Sequence, residues 1–406
     1  MKLSATLIIL LSFAAVPALA QTPVVVPTLP VPAPVVPLVA SAPLPVLSAA
    51  QADYLTIWLQ AGADQGLGAA STGAAPVIGD ALVRATLDRA RALHSGRIDT
   101  ADFLEVWALR PAAYDPLPAF AAAVATDRLA QWATALTPPY AGYEALRKGL
   151  ATYEAIQDAG GWPGLTAKSP GDLVRARLSL EDKSVTRAET LATIIQRAQR
   201  RYGLNPTGVL DVRTLAALNV PVGDRIGAIM ANMERWRWLP RELPVNRVQV
   251  NIAAAVLTAF EGDAPVTSMR AVTGSPGGKR IVQPAGPKSA LGRLKFDFDN
   301  PFAVYLHDTP LRAKFTSFDR LASHGCVRLE KPVPLAAMML GKDPVWAGAA
   351  VQTAIDTGKT QRVQLPERVA VYLLYWTAFA SANGTDTILG DNGIVQLDAR
   401  ARSSCA

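Results

Sequence analysis

Tyr305-Leu-His-Asp-Thr-Pro-Leu-Arg-Ala-Lys-Phe-Thr-Ser-Phe-Asp-Arg-Leu-Ala-Ser-His-Gly-Cys-Val-Arg328 carries two of the three histidines and one of the two cysteines in a chain of 406 residues. An unperturbed thiol, with a pKa of about 8.5, is only a few per cent thiolate near neutral pH. A neighbouring imidazole can take that proton, so Cys326 with His307 or His324 reads as a nucleophile with its base. Gly325 lets backbone approach an incoming carbonyl, and its N–H with that of Cys326 can hold an oxyanion. Two other readings compete. A lone cysteine is often a small buried core residue. A Cys/His pair can bind zinc, but a closed site needs four ligands, and Asp308 is the nearest carboxylate to join two histidines and one cysteine.

The texture around this stretch predicts strands. Residues 248–260, 266–272, 294–298 and 303–306 are β-branched or aromatic runs of strand length, separated by breaks such as Gly274-Ser-Pro-Gly-Gly278. A strand returns near 369–377, and a short helix is expected over 334–340. Upstream the pattern is helical. Leu82, Ala85, Leu87 and Leu93 fall roughly on one face of a helix that Asp80 is placed to cap, and Gly160-Gly-Trp-Pro163 stops another begun near Tyr143. Helices are expected over 171–180, 188–202 and 212–218, with Gly203 ending the second and Asp211 capping the third. His94, isolated beside Ser95 and Gly96, reads as a surface or capping residue.

The N-terminus has a positive start at Lys2, a mostly apolar run over 3–16 and small residues at Ala18 and Ala20, the pattern of an export leader cut before Gln21. The run is short for a membrane span. Residues 21–46 are rich in Pro, Val and Ala and read as an extended tether. Two cysteines exclude a multi-bridge disulfide scaffold. A formal charge of +7 suits anionic wall polymers or lipid headgroups. Export and the absence of any nucleic-acid-binding motif argue against nucleic acid as a partner.

Ser323-His324-Gly325-Cys326-Val327-Arg328 resembles the signature of the L,D-transpeptidases of the YkuD type, which also wants a histidine about fifteen residues before the serine; fifteen residues separate His307 from Ser323. Gly286-Pro-Lys-Ser-Ala-Leu-Gly-Arg-Leu-Lys-Phe296, Tyr305-Leu-His-Asp-Thr-Pro310 and Tyr375-Trp-Thr-Ala378 are similar to segments of the large Gram-negative periplasmic members. So are Tyr153-Glu-Ala-Ile and Gly160-Gly-Trp-Pro163, while 203–222 resembles a peptidoglycan-binding module and Asn232-Met-Glu-Arg-Trp-Arg-Trp238 the connector after it. The resemblance implies an α+β chain: a mainly β C-terminal catalytic domain of L,D-transpeptidase-like β-sandwich type, preceded by an all-helical scaffold and a small three-helix peptidoglycan-binding-like module. The implied segments are a leader (1–20), a Pro-rich linker (21–47), the scaffold (48–165), the module (166–222), a connector (223–243), the catalytic domain (244–399) and a tail (400–406) with Cys405 as a tail thiol.

The resemblance further implies a periplasmic enzyme that forms 3→3 cross-links in peptidoglycan by ping-pong acyl transfer. Cys326 is then the nucleophile and His307 the base, with His324 and Gly325 shaping the oxyanion loop. Tyr305, Ser323 and Arg328 bind substrate, Arg328 through a stem carboxylate. Donor and acceptor stem peptides are the implied partners, with cell-wall synthesis proteins as further candidates; no metal and no organic cofactor is implied. Within the same fold the alternatives are an L,D-carboxypeptidase or a protein-anchoring variant, and outside it a non-catalytic wall-binding scaffold. Three departures stand out: only a handful of residues join the Val272-Thr273-Gly274 and Gly286-Pro287 regions, which implies a more open cleft; Ser289 replaces an asparagine; and Ala198 replaces a phenylalanine before Gln199.

Overall fold

A computed structural model describes residues 5–9, 43–67, 78–98, 103, 109–274, 291–300, 302, 304–317, 320–323, 325–380 and 387–389. The chain divides into two compact units, one formed by 38–242 with 376–406 and the other by 1–37 with 243–375. Together they make an α+β protein.

Among the described residues the first unit has nine α-helices: α1 (Ala49–Gln60), α2 (Gly79–Ser95), α3 (Leu117–Ala125), α4 (Leu129–Ala135), α5 (Ala141–Asp158), α6 (Gly171–Glu181), α7 (Leu191–Arg201), α8 (Val212–Leu218) and α9 (Val222–Arg237). Ser48 and Gln51 close a capping box on α1, each side chain accepting from the other's backbone N–H. Asp211 caps α8 by accepting from the Thr214 N–H at 2.7 Å, as its position predicts. Gly203, with φ of +65°, follows the last turn of α7. Asp80 does not cap α2: Ile78 holds the cap position, and Asp80 sits inside the first turn, where its charge still suits the helix N-terminus. His94 is neither a surface residue nor a cap. It is half-buried, its ring stacks on Tyr114 at 3.6 Å, and burial lowers its pKa to about 4, with the Arg241 charge acting in the same sense.

Two buried carboxylates organise this unit. Glu181 takes an ion pair from Arg177 at 2.7 Å, a hydrogen bond from the Tyr153 hydroxyl at 2.6 Å and another from Tyr202, so one side chain ties α5, α6 and the end of α7. Arg177 also donates to the Leu218 carbonyl at 2.9 Å and lies 3.7 Å over the Trp162 ring. Glu234 on α9 pairs with Arg237 at 3.1 Å, both side chains 0% exposed, and accepts from the Arg97 N–H at 2.6 Å. Gln199, wholly buried, spends its amide on the loop after α7: it donates to Thr207, Thr214 and the Val209 carbonyl and accepts from the Gly208 N–H.

The second unit is a mixed sheet. Its strands are β1 (Ala5–Ile9), β2 (Asn246–Asn251), β3 (Val256–Glu261), β4 (Ala264–Gly274), β5 (Leu294–Phe298), β6 (Leu306–His307), β7 (Leu321–Ser323), β8 (Val327–Leu329), β9 (Gln361–Gln364) and β10 (Ala370–Leu374). They join in the order β10-β2-β3-β4-β8-β6-β5-β1-β9, with β7 on β4. β1, within the stretch read as a leader, runs antiparallel to both β5 and β9. The strand expected over 248–260 is a hairpin instead. β2 and β3 pair from Asn246↔Glu261 to Asn251↔Val256, and the turn between them has Ala255 at φ +51°. It contains no Gly or Pro, so composition gave no turn signal. Two helices, α10 (Pro332–Leu340) and α11 (Ala350–Asp356), pack Leu335, Met339, Leu340, Val351 and Ile355 into one core with Val248, Val250, Leu257, Phe296, Leu306, Val327 and Leu329.

The expected return strand over 369–377 divides between the units. β10 ends at Leu374, and β11 (Ala378–Ala380) belongs to the helical unit, where it pairs with β12 (Thr387–Leu389). Asn232 of α9 fixes this segment: its side-chain oxygen accepts from the Thr377 N–H at 3.0 Å and its amide donates to the Thr377 hydroxyl at 2.9 Å. Trp236 stacks on Trp376 at 4.3 Å. Among the described residues no helix is long and apolar enough to cross a membrane.

Removing one partner of a fully buried ion pair leaves an uncompensated charge, at a cost of about 3–5 kcal/mol. Glu234→Ala is therefore expected to destabilise the helical unit by about that much, read as a lower denaturant midpoint for the helical transition.

Candidate active site

The site rests on the parallel pairing of β6 with β8. The Val327 N–H donates to the Tyr305 carbonyl at 2.9 Å, and the register sets Leu306 opposite Val327 and His307 opposite Arg328. Side chains alternate along a strand, and cross-strand partners share a face. Leu306, Val327 and Leu329 are buried in the core of the unit. His307 and Arg328 therefore belong to the other face. Cys326 lies in the bend two residues before Arg328, and Tyr305 two residues before His307. The register thus sets two of the residues singled out in the sequence, His307 and Arg328, opposite each other.

Cys326 is a half-buried thiol in the bend immediately before β8. Gly325, just before it, has φ of +127°, where an L side chain is strained. A Cβ at Gly325 would meet no atom within 4 Å. The glycine is needed for the backbone conformation, not for want of space. Ser323 ends β7, which runs parallel to β4. The Thr273 N–H donates to the Arg320 carbonyl at 2.9 Å, while Arg320 reaches the Ala254 carbonyl at 3.0 Å and the Ser317 carbonyl at 3.1 Å, fixing the chain before β7. His324 lies outside the described residues, as do Ser289, Cys405 and the segment before Gly286.

His307 is 3% exposed. Burial lowers its pKa to about 4, helped by the Arg328 charge; the Asp308 and Leu291 backbones and the Asp308 charge pull the other way and lose. The ring is therefore neutral at pH 7. Its Nδ1 sits against the Asp308 carbonyl. A carbonyl only accepts, so this contact favours the tautomer with its proton on Nδ1, while the Leu291 backbone is a second hydrogen-bond partner of the ring. The peptide that offers this carbonyl is itself held. The Asp308 carboxylate accepts from the Arg293 N–H at 2.9 Å and from Arg312, which also donates to the Glu330 carbonyl at 2.8 Å just after β8. Gly292 packs so closely that a Cβ there would lie 2.5 Å from Asp308 Cγ. The carboxylate that the sequence offers to a zinc site is thus engaged by other groups. A cavity of about 330 Å³ opens beside it, lined by Arg293, Asp308, Arg312, Glu330, Lys331 and Val333, and does not include His307 or Cys326.

A thiol in the bend that leads into β8, and a neutral imidazole opposite Arg328 on the neighbouring strand, suit attack on a carbonyl next to an anionic group. Residues 245–346 match the family of L,D-transpeptidase catalytic domains named YkuD. Residues 245–346 are thus similar to a YkuD-type L,D-transpeptidase catalytic domain. Residues 49–150 match a second family, described as a Scaffold domain. A protein of Haemophilus influenzae described as "Putative L,D-transpeptidase" is 39% identical over 112 residues, which are 28% of this chain and 22% of that protein. The match thus spans under a quarter of that relative's length. Solved L,D-transpeptidases from Xylanimonas cellulosilytica (18% identity, 52% of this chain and 97% of that one, TM-score 0.21) and Stackebrandtia nassauensis (16%, 49% and 88%, 0.22) are also similar.

Sequence reasoning about this region missed the supporting groups Arg312, Arg293 and Arg320. One signal was available: Arg312 lies four residues after Asp308 with the opposite charge. The Arg293 and Arg320 contacts are made by backbone groups or across long separations, which no local pattern records.

Because folding holds the His307 pKa below the usual 6.5, the stability gained by burying a neutral ring is complete above about pH 6.5 and is lost as pH falls through about 4. Titration followed by NMR of the ring is expected to place His307 near 4. A value near 6.5 would contradict its burial.

Proposed function

We propose that this chain is an exported peptidoglycan L,D-transpeptidase that forms 3→3 cross-links through an acyl-enzyme on Cys326. His307 takes the thiol proton, and the sulfur attacks the carbonyl of the third residue of a tetrapeptide donor stem, a diaminopimelate. The tetrahedral oxyanion is held by the N–H groups of Gly325 and Cys326. The C–N bond to the terminal D-alanine breaks, the amine leaves with the proton carried by His307, and a thioester remains. A side-chain amine of a neighbouring stem then attacks, gives its proton to His307 and releases Cys326. Arg328 takes the donor's C-terminal carboxylate, as a guanidinium suits a carboxylate in two-point contact. Ser323 and His324 complete the loop around the sulfur, and Tyr305 lines the donor site.

The observation that carries this reading is the buried imidazole, neutral at pH 7, held on the strand beside the one Cys326 leads into, inside the region that matches the YkuD family. The leader pattern at the N-terminus supports export to the periplasm, and intact mass of the processed protein is expected to begin at Gln21.

Intact-mass spectrometry with a carbapenem is expected to show one covalent adduct on the wild type and none on Cys326→Ala. An equal adduct on both would remove Cys326 as nucleophile. Incubation with tetrapeptide stems is expected to yield 3→3 dimers, with turnover lowered by at least about a thousandfold in Cys326→Ala. Release of D-alanine with no dimer would make the enzyme an L,D-carboxypeptidase.

A further inference from the structure

The site face extends one strand beyond His307. β5 pairs antiparallel with β6, and its register sets Lys295 opposite His307. Leu294, Phe296 and Phe298 of β5 are buried in the core, so Lys295 shares the face of His307. Lys295, His307 and Arg328 therefore form one row across β5, β6 and β8, a cation on each side of the buried base. Neighbouring strands lie about 4.8 Å apart, which sets the backbones of the two cations about 10 Å apart.

Both cations retain capacity to donate. The Lys295 ammonium lies 3.8 Å over the Tyr305 ring and pairs with Asp297 at 3.1 Å, with 18% of its side chain exposed. An ammonium has three N–H donors, and these two contacts leave one. Asp297 is also shared with Arg362 at 3.1 Å, so it does not neutralise Lys295 alone. On the other side, the buried Arg328 Nε makes no hydrogen bond. A buried donor without an acceptor is costly and is relieved by a ligand that supplies one.

We propose that Lys295 is a specificity-determining residue that binds a second substrate carboxylate, the one carried on the side chain of the diamino acid at the third stem position. This rests on the reading of the site as a stem-peptide acyltransferase. With Arg328 on the C-terminal carboxylate, the two cations straddle the base and read a donor that is anionic on both sides of the attacked carbonyl. Amidation of the side-chain carboxylate, or an amino acid that lacks it, removes the acceptor that Lys295 needs.

The test is binding of two tetrapeptide stems, one with the free side-chain carboxylate and one with its carboxamide, measured by calorimetry on Cys326→Ala so that no turnover is required. The free acid is expected to bind about tenfold more tightly. Adding Lys295→Met is expected to bring the two affinities within about twofold, while Lys295→Arg keeps most of the discrimination. A merely structural lysine, holding Tyr305 in place, would weaken both ligands together and leave their ratio unchanged. The inference is overturned if Cys326→Ala binds neither stem, binds acid and amide equally, or keeps its preference with Lys295→Met added. Discriminating binding by a chain whose wild type forms no acyl-enzyme would overturn the transpeptidase reading and leave this one standing.

Discussion

The parallel register of β6 and β8 is the constraint on which the site depends. β6 is only two residues long, and a shift of one residue would move its whole side-chain set to the opposite face. Leu306 in the core and His307 on the site face are two outcomes of one pairing. The core enforces it, because Leu306, Val327 and Leu329 are all at or near full burial. Apolar packing on one side of the sheet thereby fixes the chemistry on the other. Burial then has a second effect. It strips the imidazole of solvent and makes it a weaker base, yet one that is unprotonated under all but acidic conditions.

The helical unit solves a different problem with buried charge. Some of its helices, such as α3 and α4, are short and lack side-chain caps, so propensity alone would hold them poorly. Glu181 and Glu234 each gather donors from separate elements, and every added donor lowers the cost of keeping the carboxylate away from water. For Glu181 the Arg177 charge and the two tyrosine hydroxyls outweigh desolvation, holding the carboxyl below its usual range. Such networks are specific in direction and reach, which apolar contact is not.

Much of this was legible in the chain itself. Helical periodicity, the Asp211 cap, the Gly203 stop and the strand texture after about residue 245 all follow local rules. The turn at Ala255 was not legible, because a left-handed alanine carries no compositional mark. The row of Lys295 beside His307 was not legible either: sequence shows two residues twelve apart, and only the β5–β6 register makes them neighbours. The His94 environment failed for a related reason, since Tyr114 and Arg241 reach it from distant segments.

The path of the chain through its two units has a bearing on how the protein is made. The stretch 243–375 is threaded between two stays in the helical unit, and Asn232 bonds to Thr377 across a separation of 145 residues. Synthesis runs from the N-terminus, so α9 is complete long before the residues that cover it emerge. Until then Asn232 and Trp236 stand without Thr377 and Trp376. The helical unit thus finishes folding only once the entire catalytic stretch has been produced, and a nascent chain halted before Trp376 carries the helical unit unfinished.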